Sequence, residues 1–448
     1  MPSIRLPHAT ALALALLACA APGAGAAEAV PGEVIVRYTP EAKRAERAAV
    51  QRGTGTRFEE KVPGGSRRLE IEDGESVRET ARELESDPRV AYAQPNYRVK
   101  ASFVPNDPGV PVQWNFFGRN GVGAPEAWDL ASAARAPGGR GAVVAVVDSG
   151  SAYENRGRFR RAPDSNARGF VRGYDFVDND PYANDENGHG THVANTIGEA
   201  TNNGRGVTGL AYGARIMPLR VLDSRGVGDS VSISRALRYA ASRRADVANI
   251  SVELEGRATA RQVPEIISAA RFASARGLVI VSSTGNSGEP EVNYPAAAPG
   301  VISVGATTIN GCRANYSNDG PGIDLVAPGG GTDAALSDNP RDAATCDPQR
   351  GGPPIFQETF ARERAVRSFG FPSVYVGTSF AAPHVSAVAA LIIATRRVGR
   401  NPNPGDVERR IKQTTRDLGP DGYDDRYGFG LLDAAAALRA GTPAPPAG

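Results

Sequence analysis

Four short stretches hold residues able to make and break acyl bonds. Ser379 stands in GTSFAAPHV (residues 377–385), ahead of SAVAALIIA, a run apolar enough for a buried helix. Serine is a poor residue inside a helix and a good one in its first turn. Pro383 points to a helix start close by, because a missing N–H costs least in the first turn. The hydroxyl is therefore either a cap or a nucleophile, with unpaired backbone N–H groups beside it to hold an oxyanion. Asp148 closes VVAVVD (143–148), where a carboxylate behind apolar residues either finds a partner or caps the next element. His189, in NGHGTHVAN, sits between glycines that leave room around its ring, as a proton shuttle needs; a helix-capping role is the alternative. His192 is three residues on, a spacing two zinc ligands could use, yet no HExxH glutamate follows. Asn286, in VSSTGNSG, is either a turn former or an amide donor to an oxyanion. Singly, each position stays open.

The elements that would carry them are legible as apolar runs. GAVVAVVD (141–148), ARIMPLRVLD (214–223), VANISV (247–252), GLVIVSS (277–283), GVISVGAT (300–307) and GIDLVAP (322–328) are short and continuously apolar. Helix-length amphipathic segments such as SVSISRALRYAASRR and VPEIISAARFASAR lie between most of them. That alternation predicts an α/β unit over 115–440, a parallel sheet covered by helices on both faces, with reactive groups at the carboxyl ends of strands. Residues 329–375, richer in Gly, Pro and charge, read as a long surface excursion, and 441–448 as a short tail.

The stretch before this unit differs. Residues 28–105, far richer in charge, read strand, helix, strand, strand, helix, strand. Pro63-Gly64-Gly65 makes the hairpin turn, and Ser76 with Glu79 a capping box. The order βαββαβ predicts a small ferredoxin-like α+β unit. SFVPNDPGVPVQW (102–114), with its prolines and glycine, reads as an exposed linker.

Residues 1–27 have one arginine, an apolar run and then small residues, the layout of a cleaved secretory signal too short to span a bilayer. LLAC (16–19) raises the alternative of lipid anchoring through Cys19. No other apolar stretch is long enough to cross a membrane. In an exported chain Cys312 and Cys346 form an even pair and are expected to be disulfide-bonded. The 51 basic residues against 49 acidic ones give no reason to expect nucleic acid or an anionic membrane as a partner.

Together the four stretches, in the order Asp148, His189, Asn286, Ser379, resemble the subtilisin-like serine proteases (subtilases, peptidase family S8). Further agreement comes from NNGRGVTGLA (202–211), YPAAAPGVISVGAT (294–307) and YGFGLLDAAAAL (427–438). The resemblance covers roughly 115–440, and the 28–105 unit is similar to the family's inhibitor-like propeptide, which aids folding and blocks activity until removed. It implies a secreted endopeptidase, made as an autoprocessed precursor and acting on protein or peptide substrates. Ser379 would be the nucleophile, His189 the base, Asp148 its orienting acid, and Asn286 with the Ser379 N–H the oxyanion donors. An extended substrate would lie along RGVGD (225–229) and SVEL (251–254), with Gly228, Ser251 and Glu253 as binding residues. Where the family is Gly-rich this chain has Glu253-Leu254, so Glu253 either admits Lys or Arg into the first specificity pocket or points to solvent. No cofactor is required for the chemistry. A structural calcium at Asn203 is a further implication, with no carboxylate partner recognisable after Asp148. The rivals are an inactive relative serving as a binding module, which the full reactive set disfavours, and a zinc hydrolase built on His189 and His192.

Overall fold

The computed structural model describes residues 29–98, 102–335, 346 and 351–441. The signal segment, Cys19 and the tail beyond 441 lie outside the described residues. The chain divides into two compact units, Met1–Lys100 and Ala101–Gly448.

The first unit runs β1 (Ala29–Tyr38), α1 (Arg44–Gly53), β2 (Thr56–Val62), β3 (Ser66–Ile71), α2 (Val77–Ser86), β4 (Val90–Tyr97). Its sheet has the order β2-β3-β1-β4 with every neighbour antiparallel, the expected ferredoxin-like arrangement. Val34 and Val36, two apart on β1, point to one face and meet Leu69 of β3 and Ala81 and Leu84 of α2 in a small core. Ser76 caps α2 by accepting the Glu79 N–H at 3.3 Å. The Glu79 carboxylate takes the Ser76 hydroxyl at 2.6 Å instead of the Ser76 backbone, so the capping box is only half formed.

In the second unit α3 (Ala124–Ala133) precedes β5 (Val143–Asp148), β6 (Tyr174–Asp175), α4 (His189–Gly198), β7 (Arg215–Arg220), α5 (Ser230–Ser242), β8 (Val247–Ile250), α6 (Pro264–Ser274), β9 (Val279–Ser283), β10 (Val301–Thr307), β11 (Leu325–Pro328) and α7 (Thr378–Ala394). The seven strands form one parallel sheet, ordered β11-β10-β9-β8-β5-β7-β6. β5 shows why its run is apolar throughout. Val144 and Val146 pack with α3, α4 and α7, while Val143, Ala145 and Val147 pack with α5 and α6. α7 is buried around its whole circumference from Thr378 to Ile392, which makes it the central helix of its layer. Cys312 and Cys346 are joined by a disulfide.

Three segments depart from the sequence reading. The edge strand β6 has two residues, too few to leave a periodic signal. Residues 102–114 are not an exposed linker but part of the second unit. Asp107 there is buried and accepts the backbone N–H groups of Asn202, Asn203 and Gly204, and Gln113 is fully buried. The excursion turns inward at 355–360, where Ile355, Gln357, Thr359 and Phe360 are all buried. The carbonyls of Ile355 and Glu358 accept from His192 and Asn195 of α4. A strip with free backbone groups next to a helix can be buried when side chains satisfy them.

Candidate active site

Asp148 ends β5 and is fully buried. Its Oδ1 accepts the Ser149 N–H at 2.7 Å and lies 2.8 Å from His189 Nδ1. A carboxylate acceptor there fixes the proton on Nδ1 and leaves Nε2 with its lone pair as the basic atom. Burial lowers the affinity of the His189 ring for a second proton. The Asp148 charge and hydrogen bond, with Asp185 behind them, outweigh it, so the pKa stands above the ordinary 6.5.

His189 is the first residue of α4, and Asp185 holds that helix start. Asp185 Oδ1 accepts from the Asn187 and Gly188 N–H groups and from Ser149 Oγ, and its Oδ2 from the N–H and hydroxyl of Thr191. An anion at a helix N-terminus satisfies orphan donors and the dipole together. Gly190 has a different purpose from the one its neighbourhood to His189 suggested. A Cβ there would come within 2.2 Å of Gly150 O, so the glycine lets α4 press against the loop after β5; it is not there to free the ring.

Ser379 is the second residue of α7. Its hydroxyl donates to Ser251 O at 3.1 Å. Among the described residues no hydrogen bond joins it to His189, although both line one cavity of about 510 Å³. Phe380, the next residue after Ser379 in α7, packs its ring against that of His189 with centroids 5.0 Å apart. A serine hydroxyl turns about one bond, and nucleophile–base contacts commonly tighten only with substrate bound.

Pro383 is the sixth residue of α7, in the second turn rather than the first. An N–H at 383 would have bonded the carbonyl of Ser379. Ser251 Oγ donates to that carbonyl instead, at 2.7 Å. Asn249 Nδ2 donates to Ser251 Oγ, and Ser386 Oγ to Asn249 Oδ1, each at 2.8 Å and all buried. This polar chain ties β8 to α7 beneath the nucleophile. Ser251, expected to bind substrate, thus spends its side chain on the helix.

Asn286 follows β9. Its Oδ1 accepts the Thr378 N–H at 2.8 Å and the Thr378 hydroxyl at 3.0 Å, which fixes the amide orientation and turns Nδ2 outward. The Ser379 N–H has no acceptor among the described residues. Two donors therefore face the same place, the Ser379 N–H and Asn286 Nδ2, the latter also in a long 3.4 Å contact with Glu253 Oε1. Of the residues placed along the cleft, Gly228 lines the cavity and is required there by packing, since a Cβ would meet Val221 O at 2.2 Å. Glu253 is half-buried in the same cavity.

The other two described histidines, His192 and His384, are structural. His192 Nε2 bonds Ile355 O at 3.0 Å, its ring stacks on Tyr375, and burial pushes its pKa down to about 3. His384 bonds Phe380 O through Nδ1 and Asn115 Nδ2 through Nε2, and burial lowers it to about 4. His189 and His192 are committed to different partners, so the zinc pairing does not form. The carboxylate near Asn203 that the sequence hid is Asp164. Asn203 Nδ2 donates to Asp164 Oδ1 at 2.7 Å, Val207 N–H to Asp164 Oδ2, and Arg205 N–H to Asn203 Oδ1. These side-chain oxygens already have protein donors, and no group of three or more His, Cys, Asp or Glu could hold a metal among the described residues. The set does not fit a calcium ion.

Sequence reasoning missed Asp185, Asn249, Ser386 and Thr378. A polar residue inside an apolar strand (Asn249 in VANISV) or an Ala-rich helix (Ser386) was the available signal, because burial there demands partners.

Comparison with known proteins identifies the family and the fold. The pattern of the Subtilase family matches residues 139–430, and that of the fervidolysin N-terminal prodomain residues 18–96. A thermophilic serine proteinase of Bacillus sp. (strain AK1) is 30% identical over 402 residues, covering 89% of this chain and 86% of the relative. Subtilisin Savinase of Lederbergia lenta is 34% identical over 304 residues, 67% of this chain and 92% of its own. A solved protease structure from Pseudoalteromonas arctica superposes with a TM-score of 0.61 at 31% identity, covering 75% of this chain and 99% of that one. The fold, the reactive set and these likenesses converge: the chain belongs to the subtilase family of serine peptidases, and its catalytic unit follows a fervidolysin-like prodomain.

Proposed function

We propose that this chain is an exported endopeptidase, made as a precursor, that hydrolyses peptide bonds through Ser379, His189 and Asp148. The observation that carries the reading is the 2.8 Å contact of Asp148 Oδ1 with His189 Nδ1, on a ring that shares its cavity with Ser379. Ser379 Oγ attacks the substrate carbonyl while its proton passes to His189 Nε2. Oxygen of the tetrahedral intermediate is held by Asn286 Nδ2 and the Ser379 N–H. His189 then gives the proton to the departing amine as the C–N bond breaks, leaving an acyl-serine. Water repeats the attack, its proton going to His189 and on to Ser379 Oγ as the acid product leaves. Asp148 keeps the imidazole in the required tautomer and offsets its charge when protonated.

The prodomain at residues 28–98 serves as folding aid and inhibitor until self-cleavage removes it. Residues 102–113 are anchored in the catalytic unit, so the cut falls on their N-terminal side. Export through the 1–27 signal accounts for the Cys312–Cys346 disulfide, which an oxidising compartment favours. Relatives include an extracellular basic protease of Dichelobacter nodosus. Among the described residues no helix is long and apolar enough to cross a membrane.

A serine-directed phosphonate tests the assignment. One equivalent should attach to Ser379, with no uptake by Ser379→Ala, and that variant should accumulate as uncut precursor in a protease-free host. Labelling elsewhere, or normal maturation of the variant, contradicts it.

A further inference from the structure

Residues 251–254 beyond β8 line the cavity that holds Ser379, and the Glu253 side chain links them to Asn286 beyond β9. Glu253 Oε2 accepts from Asn293 Nδ2 at 2.9 Å, and Oε1 makes a long contact of 3.4 Å with Asn286 Nδ2. A Cβ built on Gly285 would lie 2.5 Å from Glu253 Oε2, so the carboxylate rests directly over the 284–287 backbone. Only because residue 285 is glycine does it fit there.

The charge lacks a cationic partner among the described residues. Among the described residues no Arg or Lys pairs with Glu253, and none lines the cavity it shares with His189 and Ser379. The nearest arginine in sequence, Arg257, is taken by Glu289 and Glu291. Asp229 and Glu255 line the same cavity, adding to its negative character. Two neutral amides satisfy part of the hydrogen-bonding capacity of the Glu253 carboxylate but none of its charge, and a cation in a partly desolvated crevice supplies that.

We propose that Glu253 selects substrates with Lys or Arg at the residue whose carbonyl is attacked. This rests on the reading of Ser379 as nucleophile and Asn286 as oxyanion donor. A substrate whose carbonyl carbon lies at Ser379, with its oxygen toward Asn286, enters the cavity that Glu253 lines. The contact between Glu253 and Asn286 couples recognition to chemistry. In the free protein the Asn286 amide is shared with the carboxylate. A cationic side chain that pairs with Glu253 draws the carboxylate away and releases Nδ2 to the oxyanion. Selectivity therefore appears in kcat as well as in KM.

The experiment compares fluorogenic peptides differing only at this residue (Lys, Arg, norleucine, Phe) on wild type, Glu253→Gln and Glu253→Ala, with phosphonate labelling of Ser379 in each. Norleucine matches the aliphatic length of lysine without its charge. Wild type is expected to prefer Lys to norleucine at least about tenfold in kcat/KM, a gap of about 1.4 kcal/mol. In Glu253→Gln the ratio should collapse towards one, with kcat for the Lys peptide falling and labelling stoichiometry kept. A wild-type preference for norleucine, or an unchanged ratio in labelled Glu253→Gln, overturns the role of Glu253 while leaving the peptidase reading intact. Failure of wild type both to label at Ser379 and to cleave any peptide overturns both.

Discussion

Ser251 Oγ donates at 2.7 Å to the carbonyl oxygen of Ser379, the acceptor that Pro383 deprives of its helical N–H. The nucleophile's own residue is thus held by a side chain from the neighbouring strand end, through a helix bond that a proline removed. Ser251→Ala should leave that buried carbonyl without a donor and cost about 1–3 kcal/mol of stability. It should also lower kcat more than it changes KM, since the loss is in placing Ser379. Pro383→Ala restores an N–H at the right position, so the double variant should regain most of the lost stability in urea unfolding. Additive losses in the pair would show that the two groups do not share one acceptor.

His189 sets the acid limb of the pH profile. Its pKa is raised above 6.5, so the neutral, basic form is lost on acidification starting from above that value. The acid inflection of kcat/KM is expected above pH 6.5 in wild type. Asp148→Asn removes the charge that raises it, so the inflection should move down while the rate falls by roughly 10⁴, as the wrong tautomer predominates. An inflection that stays in place in Asp148→Asn would assign that limb to another group.

Three buried carboxylates lie together behind α4. Burial, with Glu358 and Asp164 beside it, raises Glu199 well above 4.5, and burial foremost pushes Glu358 up to about 7. Asp164, itself raised by burial, accepts from Asn203 and Val207, while the amide of Gln357 donates to Glu199. A carboxylate with a raised folded-state pKa gives most stability below its unfolded value. It loses that stability as pH rises through the folded value, here from about 4.5 to 7 for Glu358. Glu199→Gln should therefore match wild type in Tm near pH 5 and exceed it by a few degrees at pH 8. Parallel Tm–pH curves would rule the cluster out as a source of alkaline destabilisation.

The reactive residues were legible because their chemistry fixes both residue type and position at strand or helix ends. Asp148 behind six apolar residues, and Ser379 ahead of an apolar helix, announce themselves. The sheet was legible for a related reason: a strand covered on both faces is mostly apolar, as in VVAVVD, and takes a polar residue such as Asn249 only where partners meet it. What stayed hidden depends on three-dimensional partners. Ser251 reads as a cleft residue and does line the cavity, but that its hydroxyl also holds the carbonyl of Ser379 shows only in three dimensions. Gly190 reads as space for a ring until Gly150 is found against it. Residues 355–360 read as surface because their neighbours are Gly- and Pro-rich, and the partners that let the backbone be buried, His192 and Asn195 of α4 with Gln113 and the Tyr375 carbonyl, are remote in sequence. Tyr174–Asp175 is too short a strand to show a period at all.

Peptide hydrolysis by wild type, Ser379→Ala, His189→Ala and the double variant tests the account most directly. If Ser379 and His189 act as one unit, each single variant should lose about 10⁶ in kcat and the double should lose no more. Losses that multiply in the double variant, or a Ser379→Ala protein that still cleaves peptides through a trapped acyl-enzyme, would contradict it.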